Sequence, residues 1–187
     1  VNQIREKVSR WRAGNYVGVT ITTRQLLDYW RAPEREKKLF FCQIEALETA
    51  IYITEVAKKY GDGWIETALK NANDSSNPGL PRVAFKMATG TGKTVVMAML
   101  IAWQTLNKLA NPQDARFTDS FVLVAPGITI RDRLRVLLPH DPSNYYRERD
   151  LVPNELMQSL GQSRIVVLNF HAFQAKELGE ASRLAKV

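Results

Sequence analysis

Met87-Ala88-Thr89-Gly90-Thr91-Gly92-Lys93-Thr94 is the stretch that decides how the chain is read. An apolar run, Val83 to Met87, leads into it, and another, Val95 to Trp103, leads out. Strand, glycine-containing loop and helix start, in that order, are the setting of a phosphate-binding loop. Gly90 and Gly92 let the backbone turn so that successive N–H groups face an anion. The helix that follows offers its unpaired N–H groups and the positive end of its dipole. Lys93 is placed to reach the β- and γ-phosphates, and the Thr94 hydroxyl to reach Mg²⁺. Residues 88–94 (Ala88, Thr89, Gly90, Thr91, Gly92, Lys93 and Thr94) are therefore the expected nucleoside-triphosphate cradle. The strict pattern G-x-x-x-x-G-K-[ST] is broken at its first position, where Met87 stands.

Working outward, the helix of residues 39–59 carries Phe40, Ile44, Leu47, Ile51 and Val56 on one apolar face. Gly61 and Gly63 end it. Residues 1–15 are polar and read as an exposed lead-in. Tyr16 to Ile21 alternates and reads as a short strand, with Thr22 or Thr23 capping a helix through Trp30. Asn71 to Pro81, rich in Asn, Ser, Pro and Gly, reads as a loop. Phe121–Ala125 and Ile165–Leu168 read as two further buried strands, with a helix from about Ile128 to Leu138 between them. Asn169 to Lys176 leads into a last helix. Short, wholly apolar strands separated by helices imply an α/β fold with a parallel sheet covered on both faces. Ligands in such sheets sit at the carboxyl ends of the strands, where the loop 88–94, Pro126-Gly127 and Asn169-Phe170-His171 all fall.

Composition bounds the alternatives. With 45% hydrophobic and 24% charged residues, a core is affordable and an ordinary globular chain is expected. No apolar run is long enough to cross a bilayer, and Val1 to Arg12 lacks the pattern of a secretion signal. The single cysteine, Cys42, excludes an internal disulfide and points to a reduced, cytoplasmic setting. His140 and His171 have no cysteines or carboxylate cluster to complete a zinc site. A net charge of +7, with Arg131, Arg133, Arg135, Arg147 and Arg149 bunched, is compatible with a polyanionic partner. The first residue is Val1 and not Met, as in a trimmed chain.

The order Leu39-Phe40-Phe41-Cys42-Gln43-Ile44-Glu45-Ala46, then the loop 87–94, then Val124-Ala125-Pro126-Gly127, then Leu168-Asn169-Phe170-His171-Ala172-Phe173 resembles the first RecA-like domain of superfamily 2 helicases and translocases. Within that group it is most similar to the restriction subunit of type III restriction–modification enzymes, and Met87 fits that variant of the loop. The resemblance implies an ATP-binding domain over residues 36–187, preceded by an extension of residues 1–35. It implies that Gln43 reads adenine, whose edge an amide can both donate to and accept from. Arg35 and Phe41 are further candidates to clamp the base. It implies that Pro126, Gly127 and Arg131 hold a sugar–phosphate backbone, and that Asn169 and His171 make a second contact to the strand. ATP, Mg²⁺, single- or double-stranded DNA and a modification (methyltransferase) subunit are the implied cofactors and partners.

Hydrolysis in that family uses an Asp-Glu pair at the end of a buried strand, one to help hold Mg²⁺ and one to orient water. No Asp-Glu pair occurs here, and the family's order places it downstream of Val187. The isolated chain is thus expected to bind ATP weakly and hydrolyse little or none. Two other readings stay open. One is a different phosphate-loop enzyme, such as a small-molecule kinase. A GTPase would need Asn-Lys-x-Asp, and Asn107-Lys108-Leu109-Ala110 lacks the aspartate. The other is a nucleic-acid-binding module with a vestigial nucleotide site.

Overall fold

The computed structural model describes residues 1–76, 78–79 and 82–173. Eight α-helices are seen in this part: α1 (Asn2–Ala13), α2 (Ile21–Arg31), α3 (Phe41–Ile51), α4 (Trp64–Ser76), α5 (Lys93–Ala110), α6 (Ile128–Arg133), α7 (Tyr145–Glu148) and α8 (Met157–Leu160). Strands β1 (Ser120–Ala125) and β2 (Arg164–Asn169) pair in parallel, Ser120 opposite Arg164 through Ala125 opposite Asn169.

The centre of the molecule is α5. Val95, Val96, Ala98, Met99, Ile101, Ala102, Trp103 and Leu106 are all buried, so the helix is apolar around much of its girth and must be enclosed. It packs on α2, α3 and α8. Lys93, which opens it, is the first residue after a glycine in the left-handed region, so the phosphate loop is fixed to the most enclosed element of the fold.

The amino-terminal residues are part of this core. Ile4, Val8 and Trp11 fall at helical spacing, and Val8 and Trp11 are buried. Residues 14–18 turn, with Asn15 and Tyr16 at positive φ, in place of the expected strand. Thr20, not Thr22 or Thr23, caps α2, its hydroxyl accepting from the Thr23 N–H. Ion pairs then tie α1 to α3: Arg5 to Glu45 and Arg12 to the fully buried Glu48, which also binds Arg31 and the Tyr16 hydroxyl. The Tyr16 phenol, buried against that carboxylate, is pushed far above its ordinary pKa.

The long helix expected over 39–59 is continuous but changes pitch. After α3 a π-helical turn spans Tyr52–Val56 and a 3₁₀ turn spans Ala57–Tyr60, closed by Gly61 at φ +79. Such turns put a residue where a regular helix would not. Here it is Glu55, 2% exposed, which accepts from Thr20 N (2.9 Å), Thr23 Oγ1 (2.6 Å) and Trp103 Nε1 (2.9 Å). Asn107 completes the cluster by donating to Thr23 Oγ1 and the Trp103 carbonyl and accepting from the Thr20 hydroxyl. One buried carboxylate thus joins α2, the π turn and α5.

Three expectations are corrected. Val83–Met87 has no regular structure and is not a strand of the sheet, and Val83 and Phe85 are exposed. An apolar run becomes a strand only when another backbone takes up its N–H and C=O groups, and no described residue does so. Among the described residues the sheet is covered on one face: Phe121, Leu123, Ile165 and Val167 pack on the core, whereas Val122, Val124 and Val166 stand exposed. Finally, α4 runs on to Ser76 through the expected loop, because extending a formed helix adds one bond per residue fixed. The helix expected after Asn169 begins as a 3₁₀ turn, Phe170–Phe173, and otherwise lies outside the described residues.

Candidate functional site

Loop 88–94 has the backbone that its glycines predict. Gly90 (φ +79) and Gly92 (φ +75) both lie in the left-handed region, where a side chain costs roughly 1–2 kcal/mol. They differ in surroundings. A Cβ on Gly90 would meet open space, whereas one on Gly92 would run into the side-chain nitrogen of Gln43. Ala88 is the loop's internal anchor. Its carbonyl accepts from the Thr91 hydroxyl (2.7 Å) and from Lys93 Nζ (2.7 Å), which folds the exposed Lys93 back over the loop. Thr94 lies half-buried in the first turn of α5 beside Lys93, and Thr89 in the turn that opens the loop.

Gln43 reaches this loop from α3. Its Nε2 donates to the Thr91 carbonyl at 3.0 Å, and its Oε1 accepts from the Phe40 N–H at 2.8 Å. The side chain is 4% exposed. It closes the amino end of α3 by accepting from the N-cap Phe40 N–H and grips loop 88–94 with the other end of its amide. The amide oxygen and one of its two N–H bonds are engaged, leaving one N–H and one lone pair. The residue that sequence reasoning placed near a base is therefore also a strut between two elements.

Arg35 does something else. Its guanidinium, 7% exposed, donates to the carbonyls of Tyr29, Lys37, Arg149 and Asp150 and pairs with the Asp150 carboxylate at 3.5 Å. These bonds engage its donors with protein, and its guanidinium lies 5.1 Å from the centre of the Tyr29 ring. Phe41 stays 63% exposed, its ring 5.8 Å from the Arg12 guanidinium.

The second group of candidates is brought together by the sheet. Ala125 pairs with Asn169, so Pro126-Gly127 and Phe170-His171 leave the sheet side by side at its carboxyl end. Gly127 precedes α6, and Arg131, half-exposed on α6, pairs with the adjacent Asp132 at 2.9 Å. Asn169 Oδ1 accepts from the His171 N–H at 3.4 Å, and the rings of Phe170 and His171 lie edge to face. No group of three or more His, Cys, Asp or Glu side chains suited to a metal occurs among the described residues.

A glycine-bearing loop gripped by a glutamine from α3, ahead of two parallel strands with aligned exits, follows the order of the motifs in the sequence. A model of the family described as type III restriction enzyme, res subunit, matches residues 36–186. The chain belongs to that family. The match makes those residues a helicase-like, nucleotide-binding domain of the type III restriction enzyme family. No curated protein and no solved structure matches the chain. No helix among the described residues of this res-family chain is long and apolar enough to cross a membrane.

Two features escaped the sequence. Ala88 matters through its carbonyl, which any residue supplies. The Gln43 grip on Thr91 joins residues 48 apart through a backbone acceptor, and only the glycine at position 92, small enough to let the amide pass, hinted at it.

Proposed function

We propose that this chain is the ATP-binding part of a DNA helicase or translocase, serving the restriction subunit of a type III-like restriction endonuclease. On this reading β1 and β2 belong to a RecA-like parallel sheet. The observation that carries the proposal is the loop itself: two glycines in the left-handed region, a lysine and a threonine at the head of the most enclosed helix, and Gln43 against the loop's backbone.

The residues fit a nucleotide with Mg²⁺. The loop N–H groups and Lys93, released from the Ala88 carbonyl, would hold the β- and γ-phosphates, and Thr94 would ligate the ion. Mg²⁺, when bound, supplies charge neutralisation between phosphate oxygens. The N–H and lone pair that Gln43 keeps match the acceptor and donor of an adenine edge, while guanine presents two acceptors there. Gln43→Ala is therefore expected to reduce preference for ATP over GTP by about tenfold, measured by competition against a fluorescent ATP analogue. An unchanged ATP-to-GTP ratio would remove Gln43 from base recognition.

Pro126, Gly127, Arg131, Asn169 and His171 form the proposed strand-binding edge. Arg131→Ala is expected to weaken single-stranded DNA binding equally across sequences and to reduce the log–log salt slope by about 0.7. A slope that stays the same would place the backbone contact elsewhere.

A further inference from the structure

The connection between α2 and α3, residues 32–40, contains no regular structure yet leads directly into Gln43. Its buried fastening is Arg35. The guanidinium donates to the Asp150 carbonyl (2.6 Å) and to the carbonyls of Arg149, Tyr29 and Lys37 (3.3–3.4 Å). Its charge faces the Asp150 carboxylate, which also accepts from the Tyr29 hydroxyl. Asp150 holds φ +54, a conformation unfavourable for a non-glycine residue, which persists where surrounding contacts over-determine it. Two further bonds cross the same seam, Trp30 Nε1 to the Leu151 carbonyl (2.7 Å) and Lys37 Nζ to the Glu148 carbonyl (2.6 Å).

Each side of this clasp leads to a candidate site. On one side the connection ends at Phe40, whose N–H binds Gln43, and Gln43 binds the phosphate loop. It also walls a cleft of about 380 Å³ lined by Trp30, Pro33, Lys38, Leu39, Phe41 and Ile44. On the other side the segment around α7 is anchored to the turn after α6 by Tyr146, whose hydroxyl donates to the Leu137 carbonyl at 2.9 Å.

We propose that the Arg35–Asp150 clasp is a positioning element for the base side of the nucleotide site, fixing the 32–40 connection and thereby Gln43. The inference rests on the nucleotide reading above. It acts on the base more than on the phosphates, because Gln43 touches loop 88–94 only at the Thr91 carbonyl, while the Thr91 and Lys93 bonds to the Ala88 carbonyl hold the loop without it. Its test compares Mg-ATP with inorganic tripolyphosphate, which has no base, by calorimetric titration of the 187-residue chain. Arg35→Gln is expected to weaken ATP about tenfold and tripolyphosphate by clearly less. Arg35→Lys, keeping the charge without the fork, is expected to recover part of the loss. Should Arg35→Gln fail to fold by circular dichroism, Asp150→Asn carries the test. It tolerates positive φ and keeps an acceptor for Tyr29 while removing the charge, and it is expected to shift ATP affinity in the same direction by less. Equal weakening of ATP and tripolyphosphate, or no weakening of ATP, would overturn the clasp's role while leaving the nucleotide site standing. Absence of ATP binding by the unaltered chain would instead overturn the nucleotide reading and the clasp with it.

Discussion

Glu55→Ala is expected to lower the stability of the chain by about 3–5 kcal/mol. The Glu55 carboxylate is buried and is the shared acceptor for Thr20 N–H, the Thr23 hydroxyl and the Trp103 indole N–H. Alanine leaves a cavity and takes the acceptor away from three donors, of which the Thr23 hydroxyl and the Trp103 indole N–H are buried. Each such donor left unpaired costs roughly 1–3 kcal/mol. Glu55→Gln separates the two contributions. Its remaining oxygen still serves Thr23 and Trp103, but its NH₂ opposes the Thr20 N–H, so a loss of about 1–3 kcal/mol is expected. Urea unfolding followed by tryptophan fluorescence measures both, since Trp103 sits in the cluster. A Glu55→Ala midpoint equal to that of the unaltered chain would show that the cluster does not bind α2 to α5.

The second large effect falls on the phosphate loop. Gly92→Ala is expected to reduce ATP affinity by on the order of 100-fold, about 2.7 kcal/mol. Alanine at φ +75 is strained, and its methyl group would displace the Gln43 amide from the loop. Relief of either conflict moves the loop N–H groups that the proposed function assigns to the phosphates. Gly90→Ala is the control: it carries the same torsional strain, but its methyl group enters open space. A Gly92→Ala loss no larger than that of Gly90→Ala would show that the Gln43 contact is not part of the site.

What could be read from the sequence depended on how local each signal is. The motif at 87–94 is eight consecutive residues, and its two glycines take the left-handed backbone that they encode. The helices at α3 and α5 and the strands β1 and β2 declare themselves by apolar pattern. Val83–Met87 is equally apolar, but strand formation depends on a partner that a local pattern does not name. The unbroken apolar strands implied cover on both faces, and the described residues cover one. The α1 helix was hidden because Ile4, Val8 and Trp11 are spaced among Arg5, Glu6, Lys7, Arg10 and Arg12. Its charges read as solvated until the structure places Arg5 and Arg12 on the carboxylates of α3. Arg35 was weighed as a ligand-facing side chain because its acceptors are mostly backbone carbonyls, which leave no mark in a sequence.

The central claim is that residues 88–94 hold a nucleoside triphosphate through Lys93. Calorimetric titration of Mg-ATP into the 187-residue chain and into its Lys93→Ala variant, each checked for folding, tests it most directly. The account predicts saturable one-to-one binding by the unaltered chain that Lys93→Ala removes. Equal binding by both, or no ATP binding by a chain that still binds DNA, would contradict it.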